Sequence, residues 1–134
     1  MLEYKVHARR VDANGSLATC KEAELVIDTA LAGRPDAFNP AELFLASIAA
    51  CMLKGIERVS PMLKFELRGV QVSLEAKRQD APPRIISVDY VLTVDSDESD
   101  QRLELLHTNV RKYGTIFNTV AESAGLNGKL IRKT

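Results

Sequence analysis

The stretch "NPAELFLASIAACMLKGIERVS", Asn39 to Ser60, decides how the chain is read. Asn39 offers a side-chain acceptor, Pro40 suits a first helical turn, and Glu42 stands three residues beyond Asn39, which together form a helix start of the capping-box kind. Ser60-Pro61 reads as its end, because the residue before a proline is pushed away from helical backbone. The expected helix runs from Pro40 to about Val59. Between Leu43 and Leu53 it carries no charge, and Cys51 sits inside that run. A helix apolar nearly all round should be buried on most of its sides.

Outward from this helix the chain alternates at period two. "EYKVHA" (Glu3 to Ala8) places Tyr4, Val6 and Ala8 on one face, Asn14-Gly15 reads as a hairpin turn, and a second strand is expected from Ser16 to about Ile27. "TALAGRPDAF" is loop by its Gly33 and Pro35. After the helix, Val70, Val72, Leu74 and Ala76 form one strand and Ile86, Val88, Tyr90, Leu92 and Val94 another. Phe65 and Leu67 fall in the opposite parity, which predicts a bulge near Gly69. Leu103, Leu106 and Val110 share a helical face that starts at Ser99 or Asp100, with Gly114 as its stop. Thr115 then caps a shorter helix ending at Gly125, and "GKLIRK" reads as a last strand. The order β-β-α-β-β-α-α-β predicts an α+β fold, an antiparallel sheet packed on a long buried helix, in a single domain over 1–134. A helix needing cover on all sides predicts a homodimer.

Composition removes several function classes. Of 134 residues 46% are hydrophobic and 27% charged, which fits a folded globular chain, and the formal net charge is zero. No basic stripe suggests nucleic acid and no basic amphipathic patch suggests a membrane surface. No apolar stretch reaches the roughly 18 residues of a membrane span, and "MLEYKVHARR" lacks the apolar core of a signal peptide, so a cytoplasmic location is expected. Two cysteines, Cys20 and Cys51, and two distant histidines, His7 and His107, give no metal-ligand spacing. Neither a metal nor a cofactor is expected.

"NPAELFLASIAACMLKGI" resembles the cysteine helix of the OsmC/Ohr family, the osmotically inducible and organic hydroperoxide resistance proteins. "APPRIISVDYVLTV" resembles the strand that follows it, and "RKYGTIFNTVAESAGL" the segment bearing the second family cysteine. The three stand in the family's order, so the resemblance covers most of the chain. It implies a dimer with two cysteine helices in a shared core, and reduction of organic hydroperoxides by a thiol. By resemblance the attacking cysteine is Cys51, while the resolving cysteine falls on Gly114, with Thr115 where the family has proline. The usual two-cysteine cycle therefore cannot run, and an external thiol or dithiol must restore Cys51. The family glutamate falls on Ala41, one position before Glu42. The family arginine lies in the first hairpin, where "DANGS" has none, which leaves Arg9, Arg10 and Arg34 as candidate partners of the thiolate.

The residues themselves allow blander roles. A free cysteine in an apolar helix packs as a small hydrophobe, and burial raises a thiol's pKa. The helix dipole fades within the first turn, so Cys51 gains nothing from it and needs a cation to react. Glu42 is accounted for by the capping box, Cys20 by a half-buried strand, and His107 by packing beside the apolar face of its helix. Tyr113, Phe117 and Phe44 suit a core, a dimer contact or an apolar pocket. Three function classes remain: a single-cysteine hydroperoxide reductase in oxidative-stress defence, a non-catalytic module binding an apolar small molecule, and a thiol redox sensor.

Overall fold

The computed structural model describes Met1–Thr134, with strands β1 (His7–Asp12), β2 (Gly15–Cys20) and β3 (Ala23–Ile27) ahead of helix α1 (Pro40–Leu63). Strands β4 (Gly69–Gln79) and β5 (Arg84–Asp95), helices α2 (Asp100–Lys112) and α3 (Thr115–Ala121), and strand β6 (Gly125–Arg132) follow. The class is α+β as expected, but three strands precede the long helix instead of two. The chain forms two compact units, Met1–Phe44 and Leu45–Thr134. No helix is long and apolar enough to cross a membrane.

The first unit is an antiparallel meander, β1-β2-β3. The single strand expected from Ser16 to Ile27 is two strands, paired from Ser16↔Ile27 to Cys20↔Ala23, because the chain turns at Lys21-Glu22. Lys21 takes φ 55 there. A lysine rarely adopts the left-handed region, so no glycine or asparagine marked the turn. The first strand lies later than expected, at His7–Asp12, and its turn is made by Ala13-Asn14 with the Asn14 N–H donating to Asp12 Oδ1 at 2.8 Å. Gly15 opens β2, and a Cβ there would lie 2.6 Å from Arg34 Nη1, so glycine serves close approach. After β3, the buried Asp28 carboxylate accepts from the Ala30 and Arg34 N–H groups at 3.1 and 3.0 Å and organises the loop to α1.

Helix α1 starts as its sequence dictates. The Asn39 N–H donates to Glu42 Oε1 at 3.0 Å and the Glu42 N–H to Asn39 Oδ1 at 2.8 Å, so both arms of the capping box form. Its end is later than expected. Pro61 lies inside the last turn, two residues before the helix ends at Leu63, where its missing N–H removes only one late bond. The chain leaves the helix at Lys64, at φ 50, with the Phe65 N–H donating to the Ser60 carbonyl at 2.8 Å. Within one chain the helix is not buried on most sides. Ile48, Met52, Gly55, Ile56 and Val59 form a single buried stripe, and Leu53 is 39% exposed.

In the second unit β4 and β5 are antiparallel and β5 and β6 parallel, so the sheet is mixed and the expectation of a purely antiparallel one is corrected. Two helices lie between β5 and β6, and a crossover of that length is what parallel pairing requires. The bulge lies at Lys77/Arg78, not near Gly69, since Phe65 and Leu67 precede β4. Val88, Tyr90, Leu92 and Val94 alternate into the core from β5, and α2 and α3 both pack against β6. Helix α2 starts at the Ser99 cap, whose Oγ accepts from the Arg102 N–H at 3.2 Å. Gly114 is the N-cap of α3 at φ −83 and ψ 115, and Thr115 is the first helical residue. The glycine is therefore not a positive-φ stop, and α3 ends at Ala121, before Gly125.

Candidate active site around Cys51

Cys51 is half-buried on α1 and its thiol is free. Helix α1 turns one edge toward the junction of α2 and α3 through positions spaced four and then three residues apart. A Cβ on Gly114 would lie 3.1 Å from Cys51 Sγ, 3.0 Å from Phe117 Cβ and 3.3 Å from the Val110 carbonyl oxygen. One turn along, a Cβ on Gly55 would meet Val110 Cγ1 at 3.3 Å. Two turns along, Arg58 donates from Nη1 to the Tyr113 carbonyl at 3.1 Å. Helical periodicity puts 51, 55 and 58 on one side, and the two glycines let the backbones approach.

Arg58 is the residue of this site that the sequence reading missed. Its i+7 spacing from Cys51 was the available signal. By holding the Tyr113 carbonyl it fixes the residue next to Gly114, and so fixes the junction against Cys51. Position 114, where the resemblance puts a second thiol, is thus against the Cys51 sulfur, and what stands there is a hydrogen atom. Chemically the arrangement is a lone thiol with its neighbouring chain position pressed on it, with no protein sulfur within the second unit to close a disulfide.

The other candidates belong to the first unit. Glu42 uses its carboxylate and its N–H in the capping box. Arg34 holds Asp36 through Nε and Nη2 at 2.6 and 2.9 Å and reaches the Asn14 carbonyl from Nη1 at 3.3 Å. The hydrogen bond with Asp36 raises the Arg34 pKa above its ordinary value and lowers that of Asp36. Arg9 and Arg10 lie opposite Leu17 and Ser16 and, as successive strand residues, point to opposite faces of the meander. Neither takes part in an ion pair. Cys20 closes β2 opposite Ala23, half-buried and free.

His107 is buried on α2, and its Nε2 is 2.7 Å from the Tyr90 hydroxyl. Burial pushes its pKa down, the Arg111 guanidinium adds to that, and Glu104 opposes it. Burial pushes the Tyr90 phenol up, with Arg111 pulling partly back. Phe117 meets Tyr90 edge-on, with centroids 6.3 Å apart, so the ring beside Gly114 also packs on Tyr90.

Known proteins place this architecture. The OsmC-like protein of Mycoplasma pneumoniae superposes with a TM-score of 0.89 over 99% of each chain at 16% identity. An organic hydroperoxide resistance protein of Legionella pneumophila gives 0.69 over 100% of each chain at 20% identity. The organic hydroperoxide resistance protein OhrB of Bacillus subtilis gives 0.67 over 98% of each chain, also at 20%. These likenesses show the fold. No protein sequence with a curated description matches the chain. The family model for OsmC-like protein matches residues 33–127, from the loop before α1 into β6. With that match spanning most of its length, the chain belongs to the OsmC-like family.

Proposed function

We propose that the protein reduces organic hydroperoxides through Cys51 alone and that an external thiol or dithiol restores it. The observation that carries this reading is the contact between Cys51 Sγ and position 114, 3.1 Å to a Cβ built on Gly114. It supports Cys51 as the attacking cysteine of the family and leaves it without an adjacent resolving thiol. Relatives of the same fold that are described as organic hydroperoxide resistance proteins support the substrate class.

In this reading the Cys51 thiolate attacks the terminal oxygen of ROOH. An S–O bond forms as the O–O bond breaks, the leaving alkoxide takes a proton, and the products are ROH and a sulfenic acid on Cys51. A first external thiol then displaces water to give a mixed disulfide. A second releases the Cys51 thiolate and carries away the small-molecule disulfide. The thiolate requires a cation, and we assign it to one of Arg9, Arg10 and Arg34. Substituting each by Met in turn should single out the one whose loss slows Cys51 alkylation.

A homodimer belongs to the same proposal. Val11, Leu25, Val26 and Phe38 of the first unit are exposed in one chain, and large apolar side chains left uncovered in that number fit cover by a second copy. Sedimentation at micromolar concentration should give twice the chain mass. The chemical step is tested by treating the protein with one equivalent of an alkyl hydroperoxide in the presence of a cyclic 1,3-dione. The expected adduct is on Cys51, without an intramolecular disulfide. An unmodified Cys51, or a Cys20–Cys51 disulfide, would overturn the single-cysteine reading.

A further inference from the structure

We infer that the external thiol restoring Cys51 is an anionic one, bearing a carboxylate near its sulfur, and that Lys54 and Arg58 select it. The inference rests on the reading of Cys51 as the attacking thiol and names the class of its reductant. With glycine at 114 and no adjacent protein sulfur, that reductant has to arrive from solvent.

Helical geometry fixes its approach. Round the α1 axis from Cys51, Arg58 stands about 20° and Lys54 about 60° to one side, and Gly55 about 40° to the other. Gly55 is buried against Val110, so that flank is closed. Ala50 and Lys54 are exposed, so the open flank is theirs. Side chains on a helix lean toward its N-terminus, which carries the Lys54 stem back toward Cys51. Arg58 leans the same way, and its Nη1 donates to the Tyr113 carbonyl at 3.1 Å, next to Gly114. Standard backbone dimensions then put that nitrogen within roughly 11 Å of the Cys51 sulfur.

The charge of these two residues is not cancelled locally. Neither belongs to any of the six ion pairs of the chain. The other charged residues of α1 are Glu42, held in the capping box, and Glu57, about 120° round the axis from Cys51. An alkyl hydroperoxide is neutral and gains little from such a pair. A thiol gains more, because it attacks as the thiolate. Its sulfur forms an S–S bond with oxidised Cys51 as the S–O bond breaks, and the leaving hydroxide takes a proton to become water. A second thiolate then displaces the Cys51 thiolate, so two thiols are oxidised to a disulfide while the sulfenic acid is reduced. A thiolate with a carboxylate carries two negative charges to meet two cations, which steer it to the sulfur.

The test uses Cys20→Ser protein with Cys51 converted to its 4-pyridyl disulfide, and follows release of 4-thiopyridone by three thiols. The attacking forms of 3-mercaptopropionate, 2-mercaptoethanol and cysteamine are a dianion, a monoanion and a zwitterion. Lys54→Met should slow the dianion at least threefold, the monoanion less, and the zwitterion not at all. Arg58→Met should show the same grading, and Lys77→Met on β4 none. Raising ionic strength from about 20 to about 500 mM should slow the dianion most, since screening shortens the reach of exposed charges to a few ångströms. Comparing each thiol with itself in the two proteins cancels its intrinsic reactivity. Loss of a merely structural contact would slow all three thiols alike. Equal slowing, no slowing in Lys54→Met, or salt-independent rates would overturn the inference, and a Cys51 that forms no pyridyl disulfide would overturn it together with the reading beneath it. Graded rates in a protein whose Cys51 gives no sulfenic acid with peroxide would uphold the selectivity of the site and refute the peroxide chemistry alone.

Discussion

Replacing Gly114 by alanine isolates the contact on which the account of Cys51 depends. At φ −83 and ψ 115 any residue fits the backbone, so the substitution carries no conformational penalty. In such a place Gly→Ala ordinarily stabilises by about 0.4–1 kcal/mol through the unfolded chain. Here the new methyl meets Phe117 Cβ at 3.0 Å, Cys51 Sγ at 3.1 Å and a carbonyl oxygen at 3.3 Å, all tighter than ordinary contact. Overpacking of this kind costs about 1–3 kcal/mol, so the sum should be a net loss of roughly 0.5–2 kcal/mol. Urea unfolding of the reduced protein measures it. Cys51→Ala removes the sulfur from the contact, so Gly114→Ala should cost less in that background, with a coupling of at least about 0.5 kcal/mol. Cysteine at 114 behaves differently from alanine. In a disulfide, a Cβ stands about 3 Å from the partner sulfur, given an S–S bond near 2.04 Å. Gly114→Cys should therefore oxidise to a bond with Cys51 that closes a loop of roughly 60 residues, worth up to about 4 kcal/mol over the reduced form. A neutral or stabilising Gly114→Ala with no coupling to Cys51, or a Gly114→Cys that does not cross-link, would refute the placement of the α2–α3 junction on the cysteine.

Gly128→Ala should be more damaging than Gly114→Ala. The Tyr90 ring would have to leave its place and break its buried hydrogen bond, a loss of about 2–5 kcal/mol by urea unfolding. Because the His107 pKa is lowered in the folded protein, the unfolded chain binds its proton more readily. His107 therefore contributes stability that is complete above its ordinary value of 6.5 and is lost as pH falls through the lower folded value. Denaturant midpoints from pH 8 to 5 should show that slope, and His107→Gln should flatten it. Glu42→Gln preserves the reach of the capping box and should keep stability within about 0.5 kcal/mol, whereas Glu42→Ala should cost about 1 kcal/mol. A large fall in peroxide reduction with Glu42→Gln at unchanged stability would give Glu42 a chemical role beyond the cap.

The parts legible in the sequence were those fixed by local chemistry. Asn39, Pro40 and Glu42 announced α1, Ser99 announced α2, and the period-two run from Ile86 to Val94 announced the buried strand β5. The parts that were not legible depend on less local causes. Lys21 turns the chain at positive φ without a residue that favours it, so β2 and β3 read as one strand. Pro61 is tolerated because it falls where little helix is left to lose. The parallel pairing of β6 is a property of the whole sheet and has no signature in "GKLIRK". Helix α2 does stop before Gly114, but the glycine also caps α3 and is close-packed, a further role set by the Cys51 sulfur and Phe117 beside it, neither adjacent to it in sequence. The nearness of position 114 to Cys51 was implied by family resemblance and by nothing in the composition. Arg58 escaped notice because a charged residue on a helix ordinarily faces solvent.

The central claim is that Cys51 is a reagent and not a packing residue. It is tested most directly by following consumption of an alkyl hydroperoxide under steady-state conditions with a dithiol reductant, for the wild-type protein and for Cys51→Ser and Cys20→Ser. The account predicts many turnovers for the wild type and for Cys20→Ser, and background consumption for Cys51→Ser. Equal consumption by wild type and Cys51→Ser, or loss of activity in Cys20→Ser, would contradict it.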